Sequence, residues 1–196
     1  MRLVAGLWIV VMTCGGMRPV CQSGGGWYVR RVASTDELQS TIVSSPVGTL
    51  RLTASSKGLV SIDVVRRAST SASRAPKGPA GSILDRTRRQ LEQYFAGRRR
   101  SFDVPLDLRG TDFQLAAWRA MTRIPYGTTI SYADQARSIG KPTAFRAVGS
   151  ANGRNPVPII VPCHRVLASD GTLGGYSLGL SMKRRLLSLE GVSAAG

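Results

Sequence analysis

Cys163 and His164 are the residues whose types and spacing could do chemistry. They end the run Asn155-Pro156-Val157-Pro158-Ile159-Ile160-Val161-Pro162-Cys163-His164-Arg165, in which prolines stiffen the approach and a short apolar segment delivers the cysteine. A thiol attacks only as thiolate, and its free pKa is about 8.5, so a useful nucleophile needs a base or a positive field nearby. His164, the chain's one histidine, could supply that base through a water. A carboxylate would orient it, as triad logic demands, and Glu190 is the single acid after Asp170. The pair on its own fits a buried structural cysteine beside a surface histidine better. With one histidine a Cys2His2 zinc site cannot be built. Three cysteines are too few for a disulfide scaffold, and Cys14 and Cys21 have no ligand partners near them. No metal is expected.

Several elements must position that pair. Ile42 and Val43 precede the turn Ser45-Pro46-Val47-Gly48; Leu50 and Leu52 then alternate with Arg51 and Thr53, the period-two pattern of a strand. After Lys57-Gly58 a further strand carries Leu59, Val60, Ile62, Val64 and Val65. Residues 66–82, rich in Ser, Ala, Pro and Gly, read as an exposed loop. Ile83–Phe95 fits a helix with Leu84, Leu91, Tyr94 and Phe95 on one face and Arg86, Arg88 and Arg89 on the other, stopped by Gly97. Phe102–Leu108 alternates like a strand leading into a second unit. From Thr111 a helical stripe runs through Phe113, Ala117, Trp118, Met121 and Ile124, ending at Pro125-Tyr126-Gly127.

Ser131-Tyr132-Ala133-Asp134 starts a helix with a capping box and reaches about Ile139, where Gly140 supplies a left-handed stop. Pro142 suits a first helical turn, so the next helix is expected over Thr143–Asn152. Helix, tight glycine turn, helix is the helix-turn-helix pattern, which a helical hairpin packed in a core also satisfies. The second helix carries Ala144, Ala147, Gly149, Ser150 and Ala151, with Arg146 its one long cation. That composition suits close backbone approach to a groove better than reading of base edges.

The chain has 196 residues, 42 % apolar and 19 % charged, with a net charge of +16. These values fit a globular chain with a sizeable core and exclude disordered, collagen-like and coiled-coil classes. No stretch is long and apolar enough for a membrane span. The excess of Arg attracts polyanions, nucleic acid foremost, although a genome rich in Arg codons produces the same number. It is spread along the chain: residues 1–110 carry 17 cations against 7 anions, residues 111–196 carry 10 against 4. Residues 1–26 have the short positive start and apolar stretch of a secretory signal, but Met17, Arg18 and Pro19 make a poor cleavage region. They read as an extension rather than a working signal, and the cytoplasm is the expected location. The expected architecture is α+β: an extension over 1–26, a small sheet-plus-helix domain over 27–109, and a mainly helical, winged-helix-like domain with the helix-turn-helix over 110–196.

The runs "IPYGTTISYADQA", "FRAVGSANGRNP", "NPVPIIVPCHRV" and "GGYS", ending in Leu189-Glu190-Gly191, together resemble O6-alkylguanine-DNA alkyltransferase, the methylated-DNA–protein-cysteine methyltransferase family. The likeness is nearly continuous from Phe113 to Glu190, looser through "SPVGTLRLTASSKGLVSI" and "LEQYFAG", and absent from residues 1–26. The resemblance implies direct, stoichiometric DNA repair: one alkyl group passes from O6-alkylguanine, and less surely O4-alkylthymine, in double-stranded DNA to Cys163, after the base is flipped out. It further implies that His164 acts through a water with Glu190 behind it, that Asn155 holds the turn, and that Tyr132 donates to the departing guanine. Arg146 would fill the gap left in the stack, with Tyr132, Thr143, Ala147 and Ser150 on the DNA face. Tyr176, Ser177, Val161 and Pro162 would lie about the base pocket. No cofactor and a monomeric state are implied. Two rival classes stand beside this: a non-enzymatic helix-turn-helix binder whose Cys163 is incidental, and a Cys-His hydrolase, for which no oxyanion-hole glycine motif stands beside Cys163.

Overall fold

The computed structural model of the chain describes residues 37–65 and 76–193; the expectations for residues 1–26 lie outside them. Three strands, β1 (Gln39–Ser45), β2 (Gly48–Ala54) and β3 (Leu59–Val64), form an antiparallel sheet in the order β1-β2-β3. Ser45 pairs with Gly48, so Pro46-Val47 is a two-residue hairpin loop, as the turn residues imply. Leu50, Leu52 and Ala54 are buried while Arg51 is exposed: the period-two alternation of β2 turns one face of the sheet inward.

Helix α1 (Gly78–Phe95) packs on β1 and β2 through Leu84, Leu91 and Tyr94. It begins five residues before the expected Ile83, within the segment read as a loop. The reason is local: Pro79 occupies the first turn, where its missing N–H costs no hydrogen bond, and Ala80 and Gly81 are buried. Residues 102–108 are not the expected strand. Leu106 makes an isolated bridge with Leu59, through Leu59 N–H donating to Pro105 O at 2.8 Å and Asp107 N–H to Leu59 O at 2.9 Å. Pro105 has no N–H with which to extend a ladder.

The C-terminal region is mainly helical. Helix α2 (Asp112–Met121) starts at a capping box between Thr111 and Gln114 and stops before the expected end; Ile124, beyond it, is nonetheless buried. The short strand β4 (Ile130–Ser131) pairs in parallel with β5 (Val166–Leu167). Helix α3 (Tyr132–Ser138) opens on the Ser131–Asp134 capping box, and Gly140 sits at φ +70°. Helix α4 (Phe145–Gly153) begins two residues later than expected: Pro142 and Thr143 lie in a turn closed by Ala144 N–H donating to Lys141 O at 2.9 Å. A 3-10 turn, Cys163–Arg165, and helix α5 (Leu180–Leu189) complete the fold. The α+β expectation holds, with the helix pair in its expected order.

One hydrophobic cluster joins Leu50, Leu52 and Leu91 of the first half to Trp118, Met121, Val157 and Leu186 of the second. The helix pair is held by buried polar groups: Gln135 and Asn152 exchange amide hydrogen bonds at 3.0 and 2.7 Å. Gln135 Nε2 also donates to Ala117 O at 3.0 Å, and Trp118 Nε1 to Ala151 O at 2.9 Å. The sheet edge grips the segment before the cysteine, because Ile62 N–H donates to Pro156 O at 2.9 Å. Among the described residues no helix is long and apolar enough to cross a membrane.

Candidate active site

The segment 155–162 folds into a tight turn around Asn155. The Asn155 amide donates to Val161 O at 2.7 Å and to Cys163 Sγ at 3.2 Å, while its Oδ1 accepts from Val157 N–H at 3.0 Å. Val161 N–H closes the turn on Val157 O at 2.9 Å. These bonds hold Ile159 at φ +77°, a conformation that costs a β-branched residue about 1–3 kcal/mol and persists only where its surroundings impose it.

Cys163 is 4 % exposed, yet it lines a cavity of about 310 Å³ shared with Tyr132, Gly149, Asn152, Gly153, Gly175, Tyr176 and Ser177. That volume is at the low end of the ~300–1,000 Å³ typical of small-molecule pockets. The sulfur therefore faces an opening rather than sealed packing. Burial pushes its pKa up, while the Asn155 amide and the cation of Lys183 pull it down.

Lys183 is fully buried on α5, its Nζ donating to Val166 O at 2.6 Å and to Leu173 O. Burial brings its pKa down to about 8, against the pull of Cys163.

His164 is wholly buried, with Nε2 2.9 Å from Glu190 Oε1. Burial alone would push the Glu190 carboxyl up, but the hydrogen bonds from His164 and Arg165 outweigh it and hold it well below its ordinary range. A carboxylate cannot donate, so Nε2 carries the proton and Nδ1 keeps a bare lone pair. Nδ1 is buried without a hydrogen-bond partner, poised to accept a proton directly or through a small bridging molecule. Burial also pushes the His164 pKa down, against the pull of Glu190, so the imidazole is neutral at rest.

Arg165 is buried beside it and grips Glu190 with both Nε and Nη2 at 2.9 Å, while Nη1 donates to Ile124 O at 2.6 Å. Tyr94 OH and Gly127 N–H complete the cradle at 2.7 and 3.1 Å.

Tyr132 stands at the cavity wall, its hydroxyl 3.4 Å from Gly175 O. Burial, then Cys163, push its pKa up, so it is a neutral donor. Gly174, at φ +60°, lies so close that a Cβ there would meet the Tyr132 ring at 3.1 Å. Tyr176 OH is buried beside Cys163; burial, then Cys163, push its pKa up, and Ser177 lines the cavity with it. Val161 and Pro162 are buried in the turn leading to Cys163 and are not among the walls. Arg146, Ala147 and Ser150 are exposed on α4, and Thr143 is exposed in the preceding turn. Arg146 lies over the ring of Phe145, 5.7 Å from its centroid, and Phe145 is itself 45 % exposed.

The structure thus brings Cys163, Tyr132, Tyr176 and Ser177 to one cavity, with Asn155 bonded to the sulfur and the buried His164–Glu190 pair off its walls, and leaves Thr143, Arg146, Ala147 and Ser150 exposed. Sequence reading missed Lys183, Tyr94, Asn152 and the wall glycines. Lys183 stands beside Arg184 and Arg185 and reads as part of a solvated run; no local signal marks its burial. Among the described residues no cluster of His, Cys, Asp or Glu side chains could hold a metal ion.

Two family models match. One described as the DNA binding domain of 6-O-methylguanine DNA methyltransferase covers residues 112–192, and one described as that protein's ribonuclease-like domain covers residues 38–108. Curated methylated-DNA–protein-cysteine methyltransferases are 47 % identical, from Methanosarcina barkeri over 76 % of this chain and 94 % of theirs, and from Mycobacterium tuberculosis over 76 % and 89 %. Among solved structures, Mycobacterium tuberculosis O6-methylguanine methyltransferase superposes with a TM-score of 0.67 at 44 % identity, covering 79 % of this chain and 93 % of that one. Mycobacterium tuberculosis OGT in complex with DNA superposes with a TM-score of 0.66 at 46 % identity, covering 78 % and 91 %.

Proposed function

The chain belongs to the methylated-DNA–protein-cysteine methyltransferase family, and from that premise we propose that it repairs alkylated DNA by taking the alkyl group onto Cys163. The observation that carries this reading is a cysteine on a cavity wall, hydrogen-bonded by Asn155 and followed by a histidine whose outer nitrogen is pinned to Glu190. The relative solved with DNA and the +16 charge support duplex DNA as the partner.

The substrate is O6-alkylguanine, and O4-alkylthymine is the second candidate. A base inside a duplex cannot reach Cys163, so the nucleotide is extruded at a cost of a few kcal/mol. Arg146 enters the stack in its place, while the small side chains of Ala147 and Ser150, with Thr143, let the backbone approach the minor groove. The thiol proton passes to His164 Nδ1 through a water, and Lys183 and Asn155 steady the thiolate. Sγ then displaces guanine from the alkyl carbon: an S–C bond forms, the C–O bond breaks, and the electron pair leaves with the purine, which Tyr132 assists by donating a proton. The product is a thioether, and no second nucleophile in the site cleaves it, so each molecule acts once, without a cofactor. Tyr176 and Ser177 flank the base, and Val161 and Pro162 form the backing of the turn.

The division near Gly110 is part of the proposal: residues 110–196 carry DNA binding and chemistry, residues 27–109 support them, and residues 1–26 are an extension. The boundary is supported by two family models that meet between 108 and 112. The protein acts as a monomer in the cytoplasm.

The test is incubation with a duplex containing O6-methylguanine. One methyl mass is expected on the Cys163 peptide at a stoichiometry of one, and Cys163→Ala should retain DNA binding without transfer. An unchanged mass with retained binding favours a non-enzymatic binder; repeated turnover of an ester favours a hydrolase.

A further inference from the structure

Five hydrogen bonds converge on the Glu190 carboxylate. Oε1 accepts from Tyr94 OH at 2.7 Å, His164 Nε2 at 2.9 Å and Arg165 Nη2 at 2.9 Å. Oε2 accepts from Arg165 Nε at 2.9 Å and Gly127 N–H at 3.1 Å. Only the Tyr94 hydroxyl among these comes from the sheet-and-helix half, 96 residues away along the chain. It is also the shortest of the set, as a bond from a neutral hydroxyl to a carboxylate should be.

Its position is fixed by packing. Tyr94 is fully buried, with its ring 5.4 Å from Phe95, 5.3 Å from Phe102 and 6.2 Å from Tyr126. The hydroxyl is therefore delivered to Oε1 by a wall of aromatic contacts, on the same oxygen that receives His164.

Resting on the function proposed above, we propose that Tyr94 is a positioning residue for alkyl transfer: its hydroxyl, given to Glu190, limits how tightly that carboxylate holds a protonated His164. Donors sharing one oxygen compete, and each added donor makes the carboxylate a weaker base. With Tyr94 in place, Glu190 orients the imidazole without turning it into a permanent cation. Without the hydroxyl, Glu190 binds the imidazolium more strongly, and neutral His164, the form that can take the thiol proton, becomes scarcer at low pH. The other groups about His164 are Cys163 and Arg165 on its own turn, and Lys183 and Glu190 from α5 and its end. Arg165 and Lys183 oppose a charge on the imidazole and Glu190 favours it; Tyr94 from α1 acts through Glu190. The half of the fold that contributes nothing to the cavity thereby sets the base strength of the catalytic histidine.

The chain's single histidine makes this directly measurable. The full chain labelled with 15N-histidine gives one imidazole, whose shifts report both tautomer and titration. In Tyr94→Phe the titration midpoint should rise by roughly half a pH unit or more, and the acid limb of Cys163 alkylation by iodoacetamide, followed on its peptide by mass, should move the same way. Replacing Tyr94 by 3,5-difluorotyrosine, a stronger donor on the same ring, should move both downward. Tyr126→Phe removes a hydroxyl from the same aromatic group, one bonded to Leu189 O at 2.8 Å, and should move neither. A folded Tyr94→Phe with an unmoved midpoint overturns the proposal, as does an equal shift in Tyr126→Phe, which would mean general loosening. If Tyr94→Phe does not fold, the difluorotyrosine variant decides by its sign. Failure of the alkyl-transfer reading is seen separately, as O6-methylguanine duplex adding no mass to Cys163 while the imidazole shifts persist; the coupling then stands without its role in transfer.

Discussion

Asn155 does three jobs with one amide: it donates to Val161 O, accepts from Val157 N–H and donates to the sulfur. Asn155→Ala leaves the buried Val157 N–H unpaired, which costs about 1–3 kcal/mol, and takes from Val161 O one of two donors, since Cys163 N–H still reaches it at 2.9 Å. Unfolding in urea should therefore show a loss of about 1–3 kcal/mol, together with slower alkylation of Cys163, since the thiolate loses a donor. At this scale the sequence is unevenly legible. Cys163 and His164 stand out because their chemistry is rare and adjacent, and Glu190 because no other acid follows Asp170. Lys183 and Tyr94 do not, because their roles depend on partners such as Val166 O and Glu190 that only folding brings near.

Helix α4 and the loop facing it carry the next two predictions. Arg146 is exposed while the α4 side chains Val148 and Ala151 are buried, so its loss leaves packing intact. Arg146→Ala should slow repair of duplex substrate far more than reaction with free O6-benzylguanine, because only the duplex requires extrusion of a base; rate constants for both measured side by side check this, and equal losses would contradict the role. Gly174→Ala puts a methyl 3.1 Å from the Tyr132 ring at a φ of +60°. The ring must shift, and a displacement of that kind near reacting atoms costs roughly tenfold or more in rate, expected here for free base and duplex alike. The element pattern was readable where side chains alternate, as in β2, or where a capping box marks a start, as in α3. It failed where tertiary contacts decide: Pro79 and Gly81 read as loop but open α1, and the alternation of 102–108 meets a partner strand only at Leu106. The start of α4 was misplaced because Pro142 is equally at home in a turn and in a first helical turn.

For the molecule as a whole, the buried His164–Glu190 pair dictates acid sensitivity. His164 has its pKa pushed below the ordinary 6.5, so below that pH the unfolded chain binds a proton the folded chain refuses. Glu190 is held below its ordinary 4.5, so its contribution is present above that value and fades as pH falls toward the folded one. Both effects have the same sign, each worth about 1.4 kcal/mol per pH unit within its window. Urea midpoints should fall as pH drops below about 6.5 and again below about 4.5; a midpoint flat from pH 7 to 5 would contradict a neutral buried imidazole. The exposed side of α4 has a different kind of consequence. Ala147, Ser150 and Gly153 offer no long polar arms for any particular run of bases to hold. On the function proposed above, undamaged duplex would offer the molecule a nearly level landscape, in which a cationic body would drift past one step as readily as the next. On that same reading it would be arrested where one weakened base pair opens most easily, so that lateral search would be fast and the lesion would announce itself by its own instability.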